Sequence, residues 1–384
     1  MNRPIEIAIA GAGLLGRLLA WQLARAGYTV QVFDPAPGPL PAFDGGGAAA
    51  FSAAGMLSPL AEMDHADASL SAKGWRSIAL WRQIAKALGE PALFSQQGSL
   101  LLAHRSDLGA AQRVLERLRR APADWPVPQP LSPSALTAIE PALHGAAHAW
   151  LLPDEAQVQP LPALSALHAG GESAGARFSW DAPVLSVQAG CLRLSDDSTI
   201  ACDLAVDVRG LGARDDALSA PDSWRSCLRG VRGETAWLHL PDHGLMRPLR
   251  LLHPRHPVYV VPRGKDRVFV GASEIESEDR SEVSLRTAVE LMAAAQSVMP
   301  ALAESRIERL DRNLRPALPD NAPHIESTPG LLRINGLFRH GWLLAPALVE
   351  QALRGCGLDE ALLPGTDTDI TNGSFNAEVA SAAA

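Results

Sequence analysis

The chain is short of several residue types. Its 384 residues include two tyrosines, four cysteines and three lysines (Lys73, Lys86 and Lys265). No tract of Lys/Arg exceeds two, and 34 Lys+Arg stand against 42 Asp+Glu for a formal net charge of −8. A chain this acidic, with no basic arm, is a poor ligand for a phosphate backbone, which argues against nucleic-acid binding. The cysteines at 191, 202, 227 and 356 form no CxxC pair and no regular framework, so they read as incidental thiols of a reduced, cytoplasmic protein. No apolar run reaches the roughly 18–20 residues that span a bilayer. The apolar stretch before Trp21 has the look of a signal peptide, but Arg17 interrupts it and its glycines have another use. There is no HExxH, no Ser-His-Asp or Cys-His nucleophile set, and no internal repeat. His144 and His148 stand four apart without a following Glu, and Gly145 between them weakens a helix, so no metal site is expected there. His253 and His256, beside Pro254 and Pro257, read as a surface turn.

What is present is an ordinary globular composition, 47% hydrophobic and 20% charged, in a length that suggests two domains. Ile5–Ala10 is a β-type run, and Gly11-Ala12-Gly13-Leu14-Leu15-Gly16 follows it. A Leu/Ala-rich helix over Arg17–Ala26 is stopped by Gly27, and a second β-type run over Thr29–Phe33 ends at Asp34. This order predicts a βαβ unit. Further helices are expected over Trp75–Leu88, Leu108–Arg120 and 284–299. Strands are expected over Gly98–Ala103, 184–187 and 204–208, with a hairpin joining Val258–Pro262 to Val268–Gly271. The proline-rich stretch Pro122–Pro133 reads as a surface connection, the acidic run Glu274–Glu282 as a solvated loop, and the polar tail 365–384 as frayed.

The glycine spacing carries chemistry. In a strand-to-helix turn of this kind, Gly11 allows the tight turn and Gly13 lets a pyrophosphate approach the backbone. Gly16 lets the helix pack on the strand, and Leu14 and Leu15 lie in the turn that opens onto the helix N-terminus, whose free N–H groups meet the anion. Asp34, eighteen residues after Gly16, stands where a carboxylate can accept from ribose hydroxyls. A dinucleotide site follows, with NAD and FAD both open on this motif alone.

Four later segments narrow the choice. Phe51-Ser52-Ala53-Ala54-Gly55-Met56-Leu57-Ser58-Pro59, the hairpin Tyr259–Gly264 with Val268–Ser273, Asn313-Leu314-Arg315-Pro316-Ala317-Leu318-Pro319-Asp320 and Gly336–Pro346 occur in this order. Together they resemble the D-amino acid oxidase superfamily of FAD-dependent oxidoreductases, and the thiamine-pathway glycine oxidases in particular. The resemblance implies an α/β fold. A discontinuous, Rossmann-like FAD-binding domain of the glutathione-reductase type (1–93, 151–226 and 316–364) would interleave with an α+β substrate domain (94–150 and 227–315) on a mostly antiparallel sheet.

It also implies non-covalent FAD, since no cysteine matches the covalent attachment point of the sarcosine oxidase relatives. Ala54, Gly55 and Met56, the backbone at Val187, and the turn Leu337-Phe338-Arg339-His340-Gly341-Trp342-Leu343 would hold the cofactor. Arg315 would grip the substrate carboxylate, assisted by Tyr259, with Arg339 alongside. A planar, always-charged guanidinium suits a carboxylate bidentately, and its neighbours Leu314 and Pro316 suggest partial burial.

The implied reaction is oxidation of glycine or another small or N-substituted amino acid to its imine by hydride transfer from Cα, with no obligatory protein base. Electrons would pass to dioxygen to give hydrogen peroxide, and the imine would go to the thiazole-forming enzyme of thiamine biosynthesis. Two other readings stay open: a sarcosine or D-amino-acid dehydrogenase with a quinone-type acceptor, and a non-catalytic flavin-binding scaffold. Superfamily members are often homo-oligomers, but no interface is legible. Two departures stand out: Asp34 where the superfamily usually has Glu, and Arg209 at a strand end usually made of small residues.

Overall fold

The computed structural model describes residues 5–214, 223–252 and 258–363; His253, His256 and the 365–384 tail lie outside them. Glu6–Ala10 and Thr29–Phe33 pair in parallel around the helix Leu14–Arg25, as the glycine spacing predicts. Glu6–Ala10 also pairs in parallel with Leu204–Asp207, and that strand with Leu331–Asn335. Arg177–Ser179 lies at one edge of this six-stranded sheet, and His324–Thr328 turns back antiparallel at the other. Both faces are buried, as a parallel sheet requires. Ile7 and Ile9 point into a core with Leu18, Trp21, Trp81 and Leu344 from three helices, whereas Ala8 and Ala10 face Val184, Val187 and Leu192 of a small antiparallel layer.

The expected helix over Trp75–Leu88 begins earlier, at Ala68, because Asp67 caps it by accepting from the Leu70 N–H at 2.9 Å. The helices Leu108–Leu118 and Leu285–Val298 and the hairpin Val258–Arg263 with Arg267–Gly271 occur where expected. The proline-rich connection is more ordered than its composition implies. Gln129–Leu131 adds an edge strand, where Pro130 is tolerated, and Ser132 then caps the helix Pro133–Ile139.

A second sheet has eight strands in the order Arg306–Ala317, Arg229–His239, Arg267–Gly271, Val258–Arg263, Leu249–Leu251, Ser99–Ala103, His148–Leu152 and Gln129–Leu131. It is antiparallel except where Leu249–Leu251 meets Ser99–Ala103. Leu291, Ala295 and Val298 of the helix Leu285–Val298 cover one face. Its other face turns toward the glycine turn, across a deep cavity.

Candidate active site

The cavity has a volume of about 1450 Å³ and runs from Gly11 and Asp34 to Arg315 and Gly341. Pockets for a single small ligand occupy roughly 300–1,000 Å³, so this one has room for a dinucleotide and a second small molecule. At its first end, Gly11 has φ +104° and donates its N–H to the Phe33 carbonyl at 2.8 Å. A Cβ on Gly16 would overlap the Gly11 carbonyl oxygen, whereas one on Gly13 would meet nothing nearer than Ala48 at 3.5 Å. Gly16 is therefore the packing glycine and Gly13 the open one. No side chain caps the helix Leu14–Arg25, so its first N–H groups remain available to an anion.

Asp34 lines the cavity but is already employed. Its Oδ2 accepts from the Ala12 N–H at 2.6 Å and its Oδ1 from the Ala36 N–H at 2.9 Å, which fixes the turn and leaves lone pairs for a hydroxyl. Arg17, legible in the sequence only as an interruption, is a strut. Its guanidinium donates to the carbonyls of Ala12 (2.8 Å), Leu164 (3.0 Å) and Pro39 (2.8 Å) between the rings of Phe51 and Trp180. Burial lowers its pKa to about 10, against the pull of Asp34. Arg209 pairs with Asp207 at 2.7 Å and donates to the Val184 carbonyl at 2.8 Å, closing the same end.

Ala54, Gly55, Met56 and every residue from Leu337 to Leu343 line the cavity. Gly55 has φ +65°, and a Cβ there would run into the Val158 carbonyl. The helix Gly341–Gly355 also starts without a side-chain cap, which aims a second set of free N–H groups at the cavity. Val187 is buried in the small antiparallel layer, with its carbonyl accepting from Arg333 Nη2 at 2.9 Å. Of this layer, Val184 is the residue that reaches the cavity wall.

At the far end the eight-stranded sheet supplies side chains. One register row carries Arg250, Tyr259, Gly271 and Thr235 on four neighbouring strands. The Tyr259 ring lies over Gly271, where a Cβ would sit 2.7 Å from it. Arg315, opposite Val231 on the next strand, lays its guanidinium over Gly233, and a Cβ there would collide with it. The two glycines thus clear a floor on which the phenol and the guanidinium meet. Arg315 bonds to the phenol and donates to the Ser273 carbonyl at 3.1 Å, and it has no carboxylate partner among the described residues. Burial raises the Tyr259 pKa against the opposing charges of Arg315, Arg250 and Arg339, so the phenol stays protonated and able to donate. Thr235 is buried beside this floor, and its hydroxyl has no partner among the described residues.

Arg339 is occupied differently. Its Nη2 donates to Glu62 Oε2 at 2.9 Å, and its Nη1 lies 3.6 Å from Glu274. Glu62 Oε1 accepts from Arg250 at 3.0 Å, and His340 Nε2 lies 3.0 Å from Oε2. Burial pushes the Glu62 pKa up, but Arg250, His340 and Arg339 outweigh it and hold the carboxylate well below its usual value. Behind Arg250, burial raises the pKa of Glu155, which accepts from Ser99 Oγ at 2.5 Å and the Ala61 N–H at 2.9 Å. Glu62, Arg250 and Thr235 escaped the sequence reading, because each sits in an unremarkable segment and gains meaning only from strand register. The acidic run is exposed but not merely solvated: Glu276, Glu278 and Glu282 pair with Arg229, Arg214 and Arg312 at 3.1, 2.6 and 3.0 Å.

The strand that carries Arg315 also grips the loop before the flavin-type segment. Asn313 Nδ2 donates to the carbonyls of Gly47 (3.1 Å) and Ala48 (3.4 Å) and to Ser52 Oγ (2.8 Å), and Arg312 Nη1 donates to the Phe43 carbonyl at 3.0 Å.

A nucleotide-type βαβ unit thus shares one cavity with a guanidinium on a second sheet that has no carboxylate partner among the described residues, the arrangement of a dinucleotide-binding protein with room for a second, small ligand. The comparisons name the dinucleotide: the family model described as FAD dependent oxidoreductase (DAO) matches residues 6–351, and the chain belongs to that family. FAD is its cofactor, and the uncapped helix starts, the open Gly13 and the length of the cavity suit it. The chain is 36% identical over 351 residues to a Rhizobium etli protein provisionally named thiamine biosynthesis oxidoreductase ThiO, covering 91% of this chain and 96% of that one. It is 28% identical over 369 residues to glycine oxidase of Bacillus licheniformis, covering 91% and 92%. The crystal structure of glycine oxidase from Geobacillus kaustophilus shares the fold with a TM-score of 0.76 at 23% identity, over 96% of this chain and 98% of that one. No helix among the described residues is long and apolar enough to cross a membrane.

Proposed function

We propose that the chain oxidises glycine, or another small or N-substituted amino acid, at its Cα–N bond, the overall reaction being amino acid plus dioxygen to imine plus hydrogen peroxide. The observation that carries this reading is the Arg315 guanidinium, which lies on the Gly233 floor beside a protonated Tyr259 and lacks a carboxylate partner among the described residues. It suits a substrate carboxylate, with the phenol as a second donor. The backbone of Gly11–Leu15 would hold the pyrophosphate, Asp34 the ribose, and Ala54–Met56 with Leu337–Leu343 the ring. Bound there, FAD supplies the two-electron acceptor for the Cα hydride. The protein orients Cα through Arg315 and Tyr259 and excludes water with the walls at Met56 and Phe338. No cysteine lines the cavity among the described residues, in keeping with a cofactor held without a thioether.

The name of the Rhizobium relative supports placing this activity in thiamine biosynthesis, with the imine passed to the thiazole-forming enzyme, and that of the Bacillus relative supports glycine as the substrate. The sequence-based division, with an FAD domain of 1–93, 151–226 and 316–364 and a substrate domain of 94–150 and 227–315, belongs to the same reading, as does a cytoplasmic location. The test is anaerobic mixing of the yellow protein with glycine, sarcosine and D-alanine. Bleaching of the flavin by at least one is expected, and no bleaching by any small amino acid would sink the proposal. An oxygen electrode then distinguishes dioxygen from a quinone-type acceptor.

A further inference from the structure

Three cavity-lining guanidiniums act on Tyr259: those of Arg250, Arg315 and Arg339. Only Arg315 lacks a carboxylate partner among the described residues. The other two converge on one acid, with Arg250 on Glu62 Oε1 at 3.0 Å and Arg339 on Glu62 Oε2 at 2.9 Å. Glu62 ends the short helix Pro59–Glu62, just after the flavin-type segment, and its side chain is 7% exposed. Arg250 is Tyr259's cross-strand neighbour, close enough for a ligand held at Tyr259 to reach both. The cavity therefore contains cationic groups for a second acid, but a buried anion of the protein occupies them.

Resting on the reading that the cavity takes an amino acid, we infer that Glu62 is a charge filter: by pairing with Arg250 and Arg339 it limits the substrates to amines bearing a single carboxylate. A second carboxylate on the substrate would meet the negative Glu62 rather than an open cation. Specificity of this kind comes from a built-in repulsive element as much as from attraction to the favoured ligand. Removing the charge of Glu62 while keeping its shape should uncover the arginines and admit a dicarboxylate.

The test uses the flavin-loaded protein and two unreactive probes that differ by one carboxylate, methylthioacetate and thiodiacetate. Dissociation constants are read from the perturbation of the flavin visible spectrum at one pH and ionic strength. The wild type should favour methylthioacetate. In Glu62→Gln the preference should move toward thiodiacetate by roughly ten-fold or more, the scale of releasing a buried charge from its partner. An unchanged ratio in a variant that keeps its flavin and its circular dichroism overturns the filter. If Glu62→Gln loses the flavin, Arg250→Met decides. With less positive charge beside Glu62, thiodiacetate should lose further ground, and an unchanged ratio there overturns the proposal equally. Neither probe is oxidised, so this result stands apart from the bleaching test. Bleaching without a filter would spare the activity and sink only Glu62's role.

Discussion

The two ends of the cavity are built from different materials. The glycine-turn end presents mainly backbone: an open glycine, an uncapped helix start, and a carboxylate and a guanidinium that spend most of their bonds on neighbouring main chain. The Arg315 end presents side chains from strands far apart in sequence, with bare glycines beneath them. The first end should therefore fail when volume is added at its packing glycine, and the second when the charge of its side chains is removed. A backbone site has nowhere to retreat when a Cβ intrudes, whereas a long side chain can swing aside.

The largest break in that comparison comes at Gly16. Gly16→Val would drive carbon into the Gly11 carbonyl, and the expected result is protein without flavin, read from the ratio of visible to ultraviolet absorbance. Next is Arg315→Ala. It should stay yellow yet raise KM for the amino acid on the order of a thousand-fold, the scale of losing one member of a desolvated charge pair. Unchanged kinetics would remove Arg315 from the site. Gly233→Ala sharpens the contrast. The three atoms nearest its new methyl all belong to the movable guanidinium of Arg315, so folding and flavin should survive while KM rises about 10–100-fold as the guanidinium is displaced. The smallest effect is on acid stability. The folded-state pKa of Glu62 is depressed, so its contribution is complete above the ordinary carboxylate value and is lost as the pH falls through the folded value. The wild type's advantage in Tm over Glu62→Gln should accordingly hold at neutral pH and shrink below about pH 4.3.

The same contrast explains what could be read in advance. The glycine turn, its helix and Asp34 lie within 24 residues, and their meaning is local, so spacing alone discloses them. Arg315 and Tyr259 were visible through the segments around them. Glu62 and Thr235 were not, since a lone acid at the end of a short helix and a threonine within a strand carry no pattern. Arg339 was legible as a residue but not in its pairing, because its partner stands 277 positions away. The edge strand at Gln129–Leu131 was hidden for a related reason: its prolines suggest a coil unless a neighbouring strand is known to accept it.

The grip of Asn313 on the loop at Gly47–Ser52 gives the Arg306–Ala317 strand the character of a gauge block. Two residues beyond that grip, the same strand presents the group that would anchor the substrate. The spacing between anchored acid and cofactor loop is thereby written into a single stretch of extended chain. If the two sheets breathe against each other, the anchor and the loop travel as one piece, and the distance over which the proposed hydride transfer would run is insulated from that motion.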